Sequence, residues 1–259
     1  MQLSIYDAEY HYKDAFQNGF SNINLTVEDK EVLCILGPNG CGKTTLLKSL
    51  INLLPLQKGN IFLDQKDISV MNRTEIAKII GYVPQMHQPT FSYNVLDVVL
   101  LGRTAHLDLF AVPGREDVAI AEEALKLMGI YHLKDKPYTE ISGGERQMVM
   151  FARVITQQPK ILLLDEPTSH LDFGNQIRLL KVIEGLAKRG LSIIMTTHFP
   201  DHAFIVADRV ALMEKGSLLA CGLPDEVITE ENLYRLYNVP VEIKYIDDEV
   251  KRKVCIPLA

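Results

Sequence analysis

The chain has 259 residues, 47% of them hydrophobic, enough for one large domain, or a domain with a subdomain, around a sizeable core. Its 27 basic and 33 acidic side chains give a net charge of −6 with no basic block, so nucleic acid is not an expected partner. No apolar run nears the ~18 residues that span a bilayer, Met1–Asp7 lacks the basic start and apolar core of a leader, and Cys34, Cys41, Cys221 and Cys255 form no Cys-x-x-Cys pair. A protein of the cytosol with buried or incidental thiols is expected.

Taken in chain order, Leu3-Ser4-Ile5-Tyr6 and Ile23-Asn24-Leu25-Thr26-Val27 alternate as strands do. Val32-Leu33-Cys34-Ile35-Leu36 is continuously apolar and reads as a buried strand. It runs into Gly37-Pro38-Asn39-Gly40-Cys41-Gly42-Lys43-Thr44, followed by Thr45–Leu50, which reads as a helix. The octet matches Gly-x-x-x-x-Gly-Lys-[Ser/Thr], the phosphate-binding loop of nucleoside triphosphatases. Its glycines let the backbone curl around a phosphate chain with N–H groups inward, and the helix N-terminus favours anions. Lys43 adds a point charge for the outer phosphates, and the Thr44 hydroxyl is a ligand for Mg²⁺. Cys41 lies inside this loop, so a thiol reagent is expected to block nucleotide binding.

Gly59–Leu63 and Ile79–Val83 read as further strands. From about residue 87 to 158 the pattern turns helical; Val118, Ala121, Leu125 and Met128 share one helical face. Ile161-Leu162-Leu163-Leu164-Asp165 and Leu191–Thr196 have the composition of central parallel strands, with helical segments between and after them. The tail alternates again (Val241, Ile243, Tyr245, then Val250, Val254, Ile256) around Asp247-Asp248-Glu249, the pattern of a hairpin. Strands alternating with helices imply an α/β core with an inserted helical subdomain.

Two further stretches carry chemistry. An acid at the end of a buried strand, Asp165, is placed to hold Mg²⁺ beside Thr44, and the adjacent Glu166 to polarise a water for in-line attack on a terminal phosphate. Ser142-Gly143-Gly144-Glu145-Arg146-Gln147 opens a helix with an N-capping hydroxyl and free N–H groups, a second cradle for an anion.

With these in order, the sequence resembles the ATP-binding cassette (ABC) ATPases over nearly its whole length: phosphate loop, Gln85 in Gly81-Tyr82-Val83-Pro84-Gln85, the Ser-Gly-Gly signature, Asp165-Glu166, Ser169-His170-Leu171-Asp172, and His198. The resemblance implies the P-loop fold of that family: an α/β core over 1–86 and 159–240 with an N-terminal antiparallel β subdomain, a helical signature subdomain over 87–158, and a hairpin-like tail over 241–259. It implies a head-to-tail homodimer that traps two ATP molecules. Gly37 to Thr45 would hold the phosphates, and Thr44, Gln85 and Asp165 the Mg²⁺. Glu166 would be the base, and His198 would contact the terminal phosphate. Ser142, Gly143, Gly144 and Glu145 would reach the partner's ATP, and Asp172 would link the two sites. Tyr12 would stack on adenine, with Tyr10 as its rival. Departures from the family pattern are Glu145 for Gln, Ile141 for Leu, His170 for Ala, Lys30 for Gly, and Phe199-Pro200-Asp201 after the histidine. None removes a charge or donor that the chemistry uses.

Phe91 to Arg103, Gly102-Arg103-Thr104-Ala105-His106 and Pro224 to Leu233 are similar to the metal-chelate importer branch, which handles siderophore-iron, haem, cobalamin and molybdate. That likeness implies two copies of a multi-span permease, a substrate-binding protein acting through them, and a peripheral place on the cytoplasmic face of the inner membrane. The groove around Gln85 to Tyr93 would receive the permease. The alternative is a soluble single-cassette ATPase, such as those of iron–sulfur assembly.

Overall fold

Three strands are buried along their entire length, and that requires covering layers on both faces of the sheet they share. The computed structural model, described for residues 1–13, 19–85, 93–108, 110–169, 171–247 and 252–258, supplies them. Strands β1 (Leu3–Tyr10) and β2 (Phe20–Val27) lead into β3 (Val32–Leu36) and helix α1 (Lys43–Leu50). Then come β4 (Lys58–Leu63), β5 (Lys66–Asp67), α2 (Arg73–Ile79) and β6 (Ile80–Val83). The helical stretch holds α3 (Val95–Leu100), α4 (Arg115–Leu127) and α5 (Gly143–Thr156). The core resumes with β7 (Ile161–Leu164), α6 (Phe173–Lys188), β8 (Ser192–Thr197), α7 (Pro200–Val206), β9 (Arg209–Glu214) and β10 (Ser217–Gly222). Helices α8 (Pro224–Val227) and α9 (Glu230–Tyr237) and the antiparallel pair β11 (Val241–Ile246) and β12 (Arg252–Pro257) close the chain.

The central sheet runs β10-β9-β3-β8-β7-β6, parallel except for β10 at the edge. The second sheet, β2-β1-β4-β5, is antiparallel. Alternate residues of the parallel strands serve two cores, as a period of two dictates. Leu33 and Ile35 of β3, Leu163 and Ile194 pack with α1 and the antiparallel sheet. Cys34 and Leu36 of the same strand, Leu162, Leu164 and Met195 pack with the helical layers.

The helical stretch is braced internally by one buried side chain, Arg103, and tied to the core by that of Gln157. Arg103, 9% exposed, donates from Nε to Asp117 Oδ1 (2.7 Å) and from Nη1 to Thr156 O (3.1 Å) and Gln158 Oε1 (2.9 Å). Gln157 Nε2 reaches Ile80 O at 2.8 Å and also Ala77 O.

The structure adds detail at three places that the sequence left open. Besides the expected helical segments, the region after Thr197 holds two strands: β9 and β10 pair antiparallel across Lys215-Gly216, both at positive φ. Two apolar runs flanking a Lys-Gly turn were the available signal. Helix α2 starts at a capping box formed by Asn72 and Glu75. Helix α3 ends at Leu100 and the chain continues as a 3-10 helix, Leu101–His106. Phe91, Ser92, His170, Asp248, Glu249 and Val250 lie outside the described residues.

Phe151 is fully buried in α5, within the helical core. Phe151→Ala should lower the unfolding free energy by about 3–5 kcal/mol, seen as a fall in the urea midpoint at constant m-value.

Candidate functional site

The parallel strands deliver the expected residues to one place. The β3–α1 loop requires its glycines: Gly42 sits at φ +105, and a Cβ there would lie 2.7 Å from Gly19 O. A Cβ on Gly37 would lie 2.3 Å from Met213 O. Lys43, 5% exposed, turns back across this loop and donates from Nζ to Gly37 O (2.7 Å) and Pro38 O (3.0 Å). The same Nζ pairs with Glu166 Oε1 at 3.3 Å.

Glu166 is 7% exposed and holds φ at +44, a left-handed conformation that a non-glycine residue adopts only under constraint. Thr196 Oγ1 supplies one constraint by accepting Glu166 N–H at 2.9 Å. Ser169 supplies another, its hydroxyl donating to Glu166 O at 2.6 Å. Gln85 Nε2 donates to Glu166 Oε2 at 3.0 Å. His198 Nδ1 lies 3.3 Å from the same oxygen but outside hydrogen-bonding geometry. One carboxylate therefore meets Lys43, Gln85 and His198.

Asp165, next in chain, is 1% exposed and accepts three hydroxyl donors: Thr44 (3.0 Å), Thr196 (2.9 Å) and Tyr82 (3.2 Å). Burial raises its pKa, and neighbouring Glu166 adds to the rise against the three hydrogen bonds. The Thr44 hydroxyl and Asp165 carboxylate form a hard oxygen pair beside the phosphate loop. Among the described residues no cluster of three or more His, Cys, Asp or Glu side chains makes a metal cage. One carboxylate and one hydroxyl fit a cation that completes its shell with phosphate oxygens.

A cleft of about 400 Å³ is lined by Tyr12, Asn39, Gly40, Gly42, Lys43, Thr44, Thr45, Gln85 and Glu166. A neighbouring cleft of about 540 Å³ shares Tyr12, Asn39 and Gly40, and adds Pro38, Cys41, Glu214 and Arg235 among others. Tyr12 lines both clefts, whereas Tyr10 lines neither and packs on Phe20 of the core.

Comparison with known proteins agrees with this geometry. The ABC transporter family profile matches residues 20–169. A molybdate import ATP-binding protein, MolC of Haemophilus influenzae, is 35% identical over 240 residues, covering 92% of this chain and 89% of that one. A Helicobacter pylori protein described as an iron chelatin transport ATP-binding protein is 38% identical over 230 residues, covering 88% and 90%. A solved structure described as a metal-chelate type ABC transporter, in an inward-facing conformation, superposes with a TM-score of 0.87 at 32% identity, covering 99% of this chain and 97% of that one.

The chain belongs to the ABC transporter ATP-binding family. It is thus an ATP-binding, ATP-hydrolysing cassette of the kind that works with membrane permease components. Among the described residues no helix is long and apolar enough to cross a membrane.

The cassette does not bring its signature turn into the nucleotide cleft. Ser142 caps α5 and is exposed; its Oγ accepts Glu145 N–H (3.3 Å), and Glu145 Oε2 accepts Ser142 N–H (2.8 Å). The N–H groups of Gly143 and Gly144 occupy the open end of that helix. Ser142, Gly144 and Glu145 line a separate hollow of about 530 Å³ with His132, Asn175 and Arg178, none of which belongs to the phosphate loop. Asp172 caps α6, accepting Asn175 N–H at 2.9 Å.

Sequence reasoning missed Tyr82 and Thr196, whose hydroxyls hold Asp165. It also missed Arg235, which borders the second cleft from α9 and donates to Glu214 Oε2 at 3.0 and 2.8 Å. The order of the strands in the sheet, rather than any motif, brings these groups in. Cys41 corrects the expectation of a reactive thiol. It is 3% exposed and packs in the core beneath the loop, and burial raises its pKa. A haloacetamide at pH 8 should therefore label exposed Cys221 well before Cys41, with nucleotide binding intact at the first equivalent; peptide mapping against time reads this directly.

Proposed function

We propose that this chain is the ATP-hydrolysing subunit of an importer for a metal chelate or related oxyanion, working as a homodimer that closes on ATP. Residues scattered along the sequence at 12, 43, 85, 165, 166 and 198 converge on one end of the sheet, while Ser142–Glu145 opens onto a different surface. That separation is the observation that carries the dimer: the second anion cradle is complementary to a phosphate that a partner copy would hold.

In this reading the loop Gly37–Thr45 cradles the triphosphate, and Lys43 leaves Glu166 for the outer phosphates. Thr44, Asp165 and the Gln85 carbonyl oxygen would hold Mg²⁺, which when bound offsets phosphate charge and fixes the chain's orientation. Glu166 then accepts a proton from water at its carboxylate. The water oxygen bonds to the terminal phosphorus as the bond from phosphorus to the bridging oxygen breaks, and ADP leaves with that electron pair. His198 and Lys43 stabilise the charge on the transferring group. Ser142 and Gly144 of a second copy donate to the same phosphate, Glu145 braces that turn, and Asp172 lies between the two sites. Tyr12 stacks on adenine. Loss of the terminal phosphate removes the bridging charge, and the copies part.

The similarity to metal-chelate, iron chelatin and molybdate proteins supports import over the soluble alternative. The expected permease groove around Gln85 to Tyr93 lies mostly outside the described residues; among those described, a different groove of about 800 Å³ is lined by Thr74, Asp97, Leu100, Leu101, Leu107 and Pro113 among others, with Phe110 exposed beside it in sequence. Its apolar floor and acidic rim suit a short permease segment that is apolar on one side and basic at its edge. A cytoplasmic-face location and a binding protein outside the membrane follow from that partner.

Glu166→Gln should reduce kcat for ATP by at least about 100-fold while the variant still dimerises with ATP, as measured by phosphate release and sedimentation. Turnover near the wild-type rate would remove Glu166 from the role of base. Leu101→Asp should leave ATP affinity unchanged and abolish stimulation by the reconstituted permease; full stimulation would place the permease elsewhere.

A further inference from the structure

Glu166 and His198 leave different strands, β7 and β8, yet their side chains meet at 3.3 Å. The turn that carries Glu166 is strained, so something must hold it against relaxation to negative φ. Thr196 and Ser169 secure its backbone at Glu166 itself. Two residues further on, Thr168 Oγ1 lies 3.2 Å from His202 Nδ1, in a hydrogen bond. Thr168 is 2% exposed and His202 8%. His202 belongs to α7, which begins two residues after His198. The Phe199 ring lies tilted against both histidines, with centroids 4.0 Å from His198 and 4.9 Å from His202.

Helix α7 has only seven residues, so its own backbone bonds fix its direction poorly. Phe199 N–H donates to Thr197 Oγ1 at 3.0 Å at its start, and Asp201 Oδ1 accepts Cys255 N–H from the tail at 2.8 Å. Neither contact refers α7 to the Glu166 turn; the Thr168–His202 bond does. We propose that His202 is a positioning residue that locks the helix following His198 to the turn carrying Glu166, so that the histidine and the carboxylate keep one geometry through turnover. This rests on the roles of Glu166 and His198 given above. His202 itself touches no substrate. Its buried hydrogen bond transmits placement, and small misplacements of reacting groups are costly in rate.

The test uses the full-length protein and four variants: His202→Leu, Thr168→Val, the double variant and His202→Asn. Leu keeps the bulk of the imidazole without its nitrogen, and Asn puts a polar atom at the same number of bonds from Cβ as Nδ1. Each single apolar variant should lower kcat about tenfold with the Kd for ATP within about twofold of wild type. The double variant should be no slower than either single one, because both remove the same bond. His202→Asn should recover most of the loss. A role in folding alone would move the melting temperature and leave kcat of the folded fraction unchanged. The inference is overturned by wild-type kcat in either single variant, by losses that multiply in the double variant, or by a change confined to Kd or melting temperature. Glu166→Gln run alongside separates the two levels. If it turns over normally, the reading of Glu166 and this inference fall together; if it is inactive while His202→Leu is normal, only this inference falls.

Discussion

The carboxylate of Glu166 is the point on which the site depends. It is a buried anion, and burial of an unpaired charge is prohibitive, so the fold surrounds it with Lys43, Gln85 and His198. Each of those groups is also one that a triphosphate would engage. A ligand entering the cleft therefore competes for the same cation and the same donors. In the proposed mechanism, phosphate binding would therefore also free Glu166 to act as a base, because Lys43 cannot serve both anions at full strength.

Convergence follows from the sheet. Strands β3, β6, β7 and β8 are parallel, so their carboxyl ends open on one edge. Leu36 leads to the phosphate loop, Val83 to Gln85, Leu164 to Asp165 and Glu166, and Thr197 to His198. Ligand sites form where parallel strands end, since loops and helix N-termini gather there with unpaired N–H groups. The antiparallel sheet adds Tyr12 from the end of β1, and β9 with α9 adds Glu214 and Arg235. Three structural layers thus border one nucleotide cleft.

The helical stretch serves a different surface. Its signature turn is preformed, with Ser142 and Glu145 bracing each other, and it lines a hollow to which the phosphate loop contributes no residue. Such a cradle suits the proposed pairing, in which a second copy would supply the phosphate. Gln157 ties that stretch to the end of α2 and the start of β6, while Arg103 braces it internally against Asp117, Thr156 and Gln158.

The sequence by itself determined the phosphate loop, the buried strands and the adjacent acids of β7, because each is a local pattern: glycines at fixed spacing, unbroken apolar runs, an acid closing one of them. It also determined the family, through six motifs in a fixed order. It did not reveal the β9–β10 pair, whose apolar stretch has no strict alternation because β9 is buried on both faces. It placed Cys41 in the loop but could not show that the thiol points into the core. Only the tertiary structure decided that Tyr12 rather than Tyr10 borders the cleft, that Thr196 and Tyr82 hold Asp165, and that His202 reaches Thr168. Those contacts join residues 31 to 83 positions apart. They arise from strand order and side-chain direction, which no single stretch of the sequence encodes.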